Sequence, residues 1–175
     1  MPKICLSKQR ATEIGADALV VAVDTAGRPL GETHDFIRAV VGNYFHNHLT
    51  AHLPLSIGTA LFVPRIQMYP IRYAGVIFIV DESERDIDTY QLEVRSLIYN
   101  ALLVADREHM RTLTIVMPRA DTSDKRVGGA FEASCSETRA AIDAFHENFP
   151  NSRLHKINVY VGVHSELLSR ATQVM

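Results

Sequence analysis

Six short apolar runs alternate along the chain with stretches whose apolar residues recur every three or four positions, and this alternation restricts the fold more than any single motif. "KICL" (3–6), "DALVVAV" (17–23), "GTALFV" (58–63), "YAGVIFIV" (73–80), "TLTIVM" (112–117) and "HKINVYVGV" (155–163) have the length and apolar content of strands. The run at 17–23 is almost continuously apolar, as a strand covered on both faces must be. Between the strands lie helical patterns. In the first, Phe36, Ile37, Val40, Val41, Tyr44, Phe45 and Leu49 share one stripe. The second runs from Asp88 to about Glu108, with Asp88 and Gln91 spaced as a capping box. The third is expected to start at Ser134, with Glu137 three residues on, and to pack through Ala140, Ala141, Ala144 and Phe145. A short last helix is capped by Ser165. Strands alternating with helices imply a three-layer α/β/α domain with a mixed, largely parallel central sheet. Because no repeat or low-complexity linker interrupts the pattern, residues 1–175 are read as one domain.

At 175 residues the chain is long enough to bury about 70% of its unfolded surface without disulfide or metal staples. A formal net charge of −2 argues against duplex nucleic acid as a partner, because that affinity depends on clustered basic residues. The apolar runs are too short to span a bilayer, and "MPKICLSKQR" lacks a signal-peptide core, so a cytoplasmic location and no membrane partner are expected. Cys5 and Cys135 have no metal-ligand spacing. In "HNHLTAH", His48 and His52 lie one helical turn apart but have no intervening glutamate and no third ligand nearby. Neither a metal nor a cofactor is expected, and oligomeric state is left open.

In open α/β sheets ligands bind beyond the carboxyl ends of the strands. Two connections there stand out. "DTAGRPLGETHD" contains Gly27 and Gly31, which permit positive φ, and leads into a helix near Thr33 whose amides would favour an anion. "PRADTSDKRVGGAF" enters a helix through Gly128 and Gly129, with Arg119, Lys125 and Arg126 available to neutralise phosphates. Both also fit ordinary turn chemistry.

Together these features resemble the macro domain family, whose members bind ADP-ribose and related nucleotides and in some cases hydrolyse ADP-ribose from proteins or small products. "DALVVAVD" is similar to the family's D-A-I-V-N-A-A-N. "TAGRPLGETHDFIRAVVG" stands where its glycine-rich segment runs, and "GGAFEASCSETRAAIDAF" resembles the G-[VI]-[FY]-G that precedes a helix. The resemblance implies a nucleotide site between loops 24–34 and 119–132, lined by Gly27, Gly31, Thr33, Arg119, Gly128, Gly129, Ala130 and Phe131, with Phe131 against a ribose. ADP-ribose, free or carried on a modified protein, is the implied partner.

Several positions depart from the family pattern. Arg10 stands where an acidic residue usually contacts adenine, Val21 and Asp24 replace the two asparagines, and Pro29, Leu30 and Glu32 replace glycines. His34 stands in place of an aspartate used by many hydrolytic members, and Glu132 replaces another glycine. An enzyme built on these residues would be an ADP-ribosyl hydrolase, in which Asp24 holds the imidazole while His34 activates a water. The third reading is a degenerate macro fold that serves as a scaffold or oligomerisation module without nucleotide.

Overall fold

The computed structural model describes residues 1–7, 9–30, 33, 37–38, 42–66, 72–81, 87–117, 128–162 and 165–175, and their side chains except those of 87–92, 128–130 and 165–167. The elements follow the alternation read from the sequence. They are β1 (Lys3–Ser7), a 3-10 turn (Ala11–Glu13), β2 (Ala18–Val23), α1 (Tyr44–Thr50), β3 (Ala60–Pro64), β4 (Gly75–Val80), α2 (Ile87–Arg107), β5 (Thr112–Val116), α3 (Gly128–Asn148), β6 (Lys156–Tyr160) and α4 (Ser165–Val174).

The six strands form one sheet in the order β1-β6-β5-β2-β4-β3. Every neighbouring pair is parallel except β3 with β4, so the sheet is mixed and mostly parallel. Side chains alternate between its faces. Ala18 and Val20 of β2, Ile77 and Ile79 of β4, Leu113 and Ile115 of β5, and Ile157 and Val159 of β6 share one core with α2, α3 and Ala171 of α4. Leu19, Val21 and Val23 of β2, with Val76, Phe78 and Val80 of β4, pack on the other face against Ile37 and the Phe45 and Leu49 side chains of α1. Two covered faces account for the near-absence of polar residues in β2 and β4. On the α1 side, the buried Tyr73 hydroxyl donates to the Ala11 carbonyl, anchoring the 3-10 turn beneath the sheet.

Two helix boundaries differ from those expected. The stripe that joins Ile37 to Leu49 is not one helix: Gly42 adopts φ +65° and α1 starts afresh at Tyr44. Asn43 is the residue before α1, but its side-chain oxygen accepts from Arg38 Nε at 2.9 Å and does not cap the helix. Both segments still press on the same core, which explains the continuous periodicity. The other boundary is α3, which begins at Gly128, well before Ser134. Ser134 is 2% exposed in the helix interior and is not a cap. The capping side chains proposed at Asp88, Gln91 and Ser165 lie outside the described side chains.

Candidate functional site

The chain order reverses between β2 and β5. From β2 the chain proceeds through α1 to β3 and β4 on one side, whereas from β5 it proceeds to β6 on the other. Such a reversal leaves a crevice at the carboxyl ends of the strands, because the flanking connections depart to opposite faces. Here the parting of the two strands is visible in the hydrogen bonds. β2 pairs with β4 along its whole length, Ala18 to Val23, but with β5 only from Ala18 to Val20. Past Val20 the edge of β2 that faced β5 is taken up by its own loop. Leu30 N–H donates to the Ala22 carbonyl at 3.2 Å, Asp24 N–H donates to the Arg28 carbonyl at 2.9 Å, and Val23 bridges Pro29 antiparallel. β5, β6 and β1 meanwhile stay paired to their ends through Met117 N–H to Tyr160 O and Val161 N–H to Ser7 O. Loops 24–34 and 119–132 therefore leave adjacent parallel strands at the same edge of the sheet.

Asp24 organises the first loop. Its residue is only 6% exposed. Oδ1 accepts the N–H groups of Ala26 at 2.9 Å and Arg28 at 2.8 Å, and Oδ2 accepts Arg28 Nε at 2.6 Å. Burial pushes the carboxyl up, but the Arg28 backbone and side-chain donors and the Ala26 N–H outweigh it, so Asp24 lies below its ordinary value. Gly27 closes the turn at φ +72°, donating its N–H to the Asp24 carbonyl at 2.9 Å. A Cβ at Gly27 would stand 3.5 Å from Leu49 Cβ and 3.7 Å from Leu53, so the close approach this glycine makes is to the protein's own side chains. Thr33 is helical and half-buried, while Gly31 and His34 lie outside the described residues.

Gly128, Gly129 and Ala130 form the first turn of α3, whose leading amides have no partner within the helix. Phe131 is 4% exposed and belongs to the core under α2 and α3, with the Arg170 guanidinium of α4 5.7 Å above its ring. Glu132, which would repel a phosphate if it faced the crevice, instead pairs with Arg170 Nε. That hydrogen bond, working against partial burial, holds its carboxyl below the ordinary glutamate value. Arg119, Lys125 and Arg126 lie outside the described residues. Arg10 is exposed beside the 3-10 turn.

Two residues went unremarked in the sequence. One is Arg28, the partner of Asp24. The other is Asp81, 1% exposed, whose N–H donates to the Val23 carbonyl at 2.8 Å. Since Val23 registers with Val80, Asp24 and Asp81 are lateral neighbours at the ends of adjacent strands. The signal was present: "VVAVD" and "VIFIVD" both end an apolar strand on aspartate, and arginine follows the first of these four residues later across a glycine turn. Among the described residues no cluster of three or more metal-ligating side chains occurs, and no helix is long and apolar enough to cross a membrane. His48 is exposed, with its ring edge-on to Tyr44 at 4.8 Å.

No protein-family model and no curated protein matches the sequence. Solved structures do match the fold. The macro domain of ganglioside induced differentiation associated protein 2 superposes with a TM-score of 0.79 at 15% identity, over 98% of this chain and 83% of that one. The Trypanosoma brucei macrodomain in complex with ADP-ribose gives 0.75 at 15% identity, over 97% of this chain and 68% of that one. In another crystal form of that macrodomain the chain spans 65% of the solved length, just under two thirds. A mutant Oceanobacillus iheyensis macrodomain with ADPR gives 0.69 at 12% identity, over 97% and 89% of the two chains. By these superpositions the chain has a divergent macro-domain fold, with a mixed, mostly parallel six-stranded sheet.

Proposed function

We propose that the protein binds ADP-ribose or a related nucleotide, free or attached to a modified protein, in the crevice between loops 24–34 and 119–132. The observation that carries this reading is the parting of β2 from β5 at their carboxyl ends. In this reading the hydrogen-bonded 24–30 turn forms one wall and the first turn of α3 the other. The amide dipoles of that turn favour a negatively charged guest. The Trypanosoma brucei and Oceanobacillus iheyensis structures of the same fold hold ADP, ADP-ribose or ADPR, which supports a nucleotide as the guest.

Binding is favoured over hydrolysis by the state of Asp24. Among the described residues, all three of its side-chain hydrogen bonds go to its own turn, so the carboxylate serves the loop's shape. A thermal-shift panel with ADP-ribose, ADP, AMP and NAD tests the proposal. ADP-ribose at about a hundred times its Kd should add about 2.7 kcal/mol. For a chain of this size that is a rise in Tm of roughly 5–10 °C. Silence from every nucleotide overturns it in favour of a scaffold. Release of ADP-ribose from a modified peptide, abolished in Asp24→Ala and His34→Ala, would replace binder with hydrolase.

A further inference from the structure

The loop after β2 keeps few glycine amides to offer a ligand, yet it carries a fixed cation. Arg28 is pinned to Asp24 at three points. Its N–H donates to Asp24 Oδ1 at 2.8 Å, its carbonyl accepts the Asp24 N–H at 2.9 Å, and its Nε donates to Asp24 Oδ2 at 2.6 Å. The side chains are 9% exposed for Asp24 and 75% for Arg28. A buried carboxylate thus grips the inner edge of an exposed guanidinium. Only Nε is used, and among the described residues no acceptor takes the N–H groups of the two terminal nitrogens, which form the outer fork.

The position of this fork follows from the sheet. Alternation sets Ala22 and Asp24 on the same face as Ala18 and Val20, which is the face covered by α2 and α3. Because the Asp24 N–H bonds the Arg28 carbonyl beside the Val23–Pro29 bridge, Arg28 lies along the edge of β2 that β5 no longer pairs past Val20. An exposed ion pair between flexible side chains contributes little to stability. This pair differs because the backbone of both residues is tied into the same turn, so the guanidinium is presented at small further entropic cost.

We propose that Arg28, positioned by Asp24, is the anion-binding group of this site and pairs its outer fork with phosphate oxygens of the ligand. The inference rests on the nucleotide reading above and adds a residue to it. An arginine fork matches two oxygens of one phosphate, which a lysine cannot do. Asp24 acts through Arg28 and does not itself touch the ligand.

Calorimetric titration of the whole chain with ADP-ribose, inorganic pyrophosphate and adenosine tests it. Arg28→Ala should weaken ADP-ribose at least tenfold and leave adenosine unchanged. Arg28→Lys should recover part of the loss, since it keeps the charge but not the fork. Asp24→Asn still offers an oxygen to the Ala26 and Arg28 N–H groups but frees the guanidinium. It should weaken ADP-ribose several-fold and spare adenosine, a split that general loosening of the fold would not produce. ADP-ribose affinity within twofold of wild type in Arg28→Ala overturns the inference and leaves the nucleotide reading standing. Wild-type protein that takes pyrophosphate through Arg28 but no nucleotide keeps the anion grip and removes the nucleotide reading. Wild-type protein that takes neither removes both. If Arg28→Ala weakens binding while Asp24→Asn does not, the positioning role of Asp24 is wrong.

Discussion

Burial and hydrogen bonding oppose each other at Asp24, and the donors win, so its native carboxyl lies below the ordinary value of 3.8. A depressed native value means that the unfolded chain takes up the proton first as the solution is acidified. The stabilisation from this turn is then complete above about pH 3.8 and is lost as pH falls through the lower native value. Glu132, held down by Arg170, acts in the same direction from 4.5, with less weight because the pair is partly solvated. Urea unfolding followed from pH 7 to pH 3 should show stability falling on the acid side, and Asp24→Asn should flatten that fall. An unchanged acid slope in the variant would show that the turn carries no charge-dependent stability. Gly27 tests the same turn without charge. At φ +72° any L side chain is strained, while 3.5 Å to Leu49 Cβ is ordinary contact. Gly27→Ala should therefore cost about 1–2 kcal/mol, the penalty of the left-handed region, read as a lower urea midpoint at unchanged slope.

Among the elements, strands were the most legible and helix starts the least. Each strand is a short apolar run bounded by turn residues, and burial on both faces of β2 and β4 makes their signal strong. The start of α3 was misread because Ser134 and Glu137 satisfy the spacing of a capping box, while Gly128 and Gly129 are poor helix formers. Tertiary contacts override both cues. Phe131 is anchored in the core and Glu132 is tied to Arg170 of α4, so the first turns of α3 are held from outside the helix. A real cap lost to alanine costs about 1 kcal/mol. Ser134, 2% exposed inside the helix, should instead tolerate alanine within about 0.5 kcal/mol in chemical denaturation, since alanine is the better helix former. A loss of a full kcal/mol or more would return Ser134 to a polar role. The region before α1 misled in the opposite sense. One hydrophobic stripe covers two segments, and the break at Gly42 is a backbone property that periodicity does not record.

For the whole molecule, the layers were legible and the strand order was not. Parallel neighbours are joined through crossovers, so nothing local says that β5 lies between β6 and β2 or that β3 runs antiparallel at the far edge. The candidate site inherits that limit. Its loops could be marked by their glycines, but the burial of Asp24 beneath an exposed Arg28 and its place beside Asp81 exist only in the folded sheet. The topology also makes the site's location measurable. Amides of this turn are bonded within the loop or to β2: Asp24 N–H to Arg28 O, Gly27 N–H to Asp24 O and Leu30 N–H to Ala22 O. These bonds open when the loop lifts away from β2, and sheet unfolding is not required. A guest seated between β2 and β5 holds the loop down, so saturating ADP-ribose should slow hydrogen exchange at Asp24, Gly27 and Leu30 by the largest factor in the chain. β3, two strands removed from the opening and paired in the sheet with β4, should exchange at its unliganded rate. Protection concentrated at Ala60–Pro64, with residues 24–30 unmoved, would place the ligand at the wrong edge of the sheet for any role of Asp24 or Arg28 in binding.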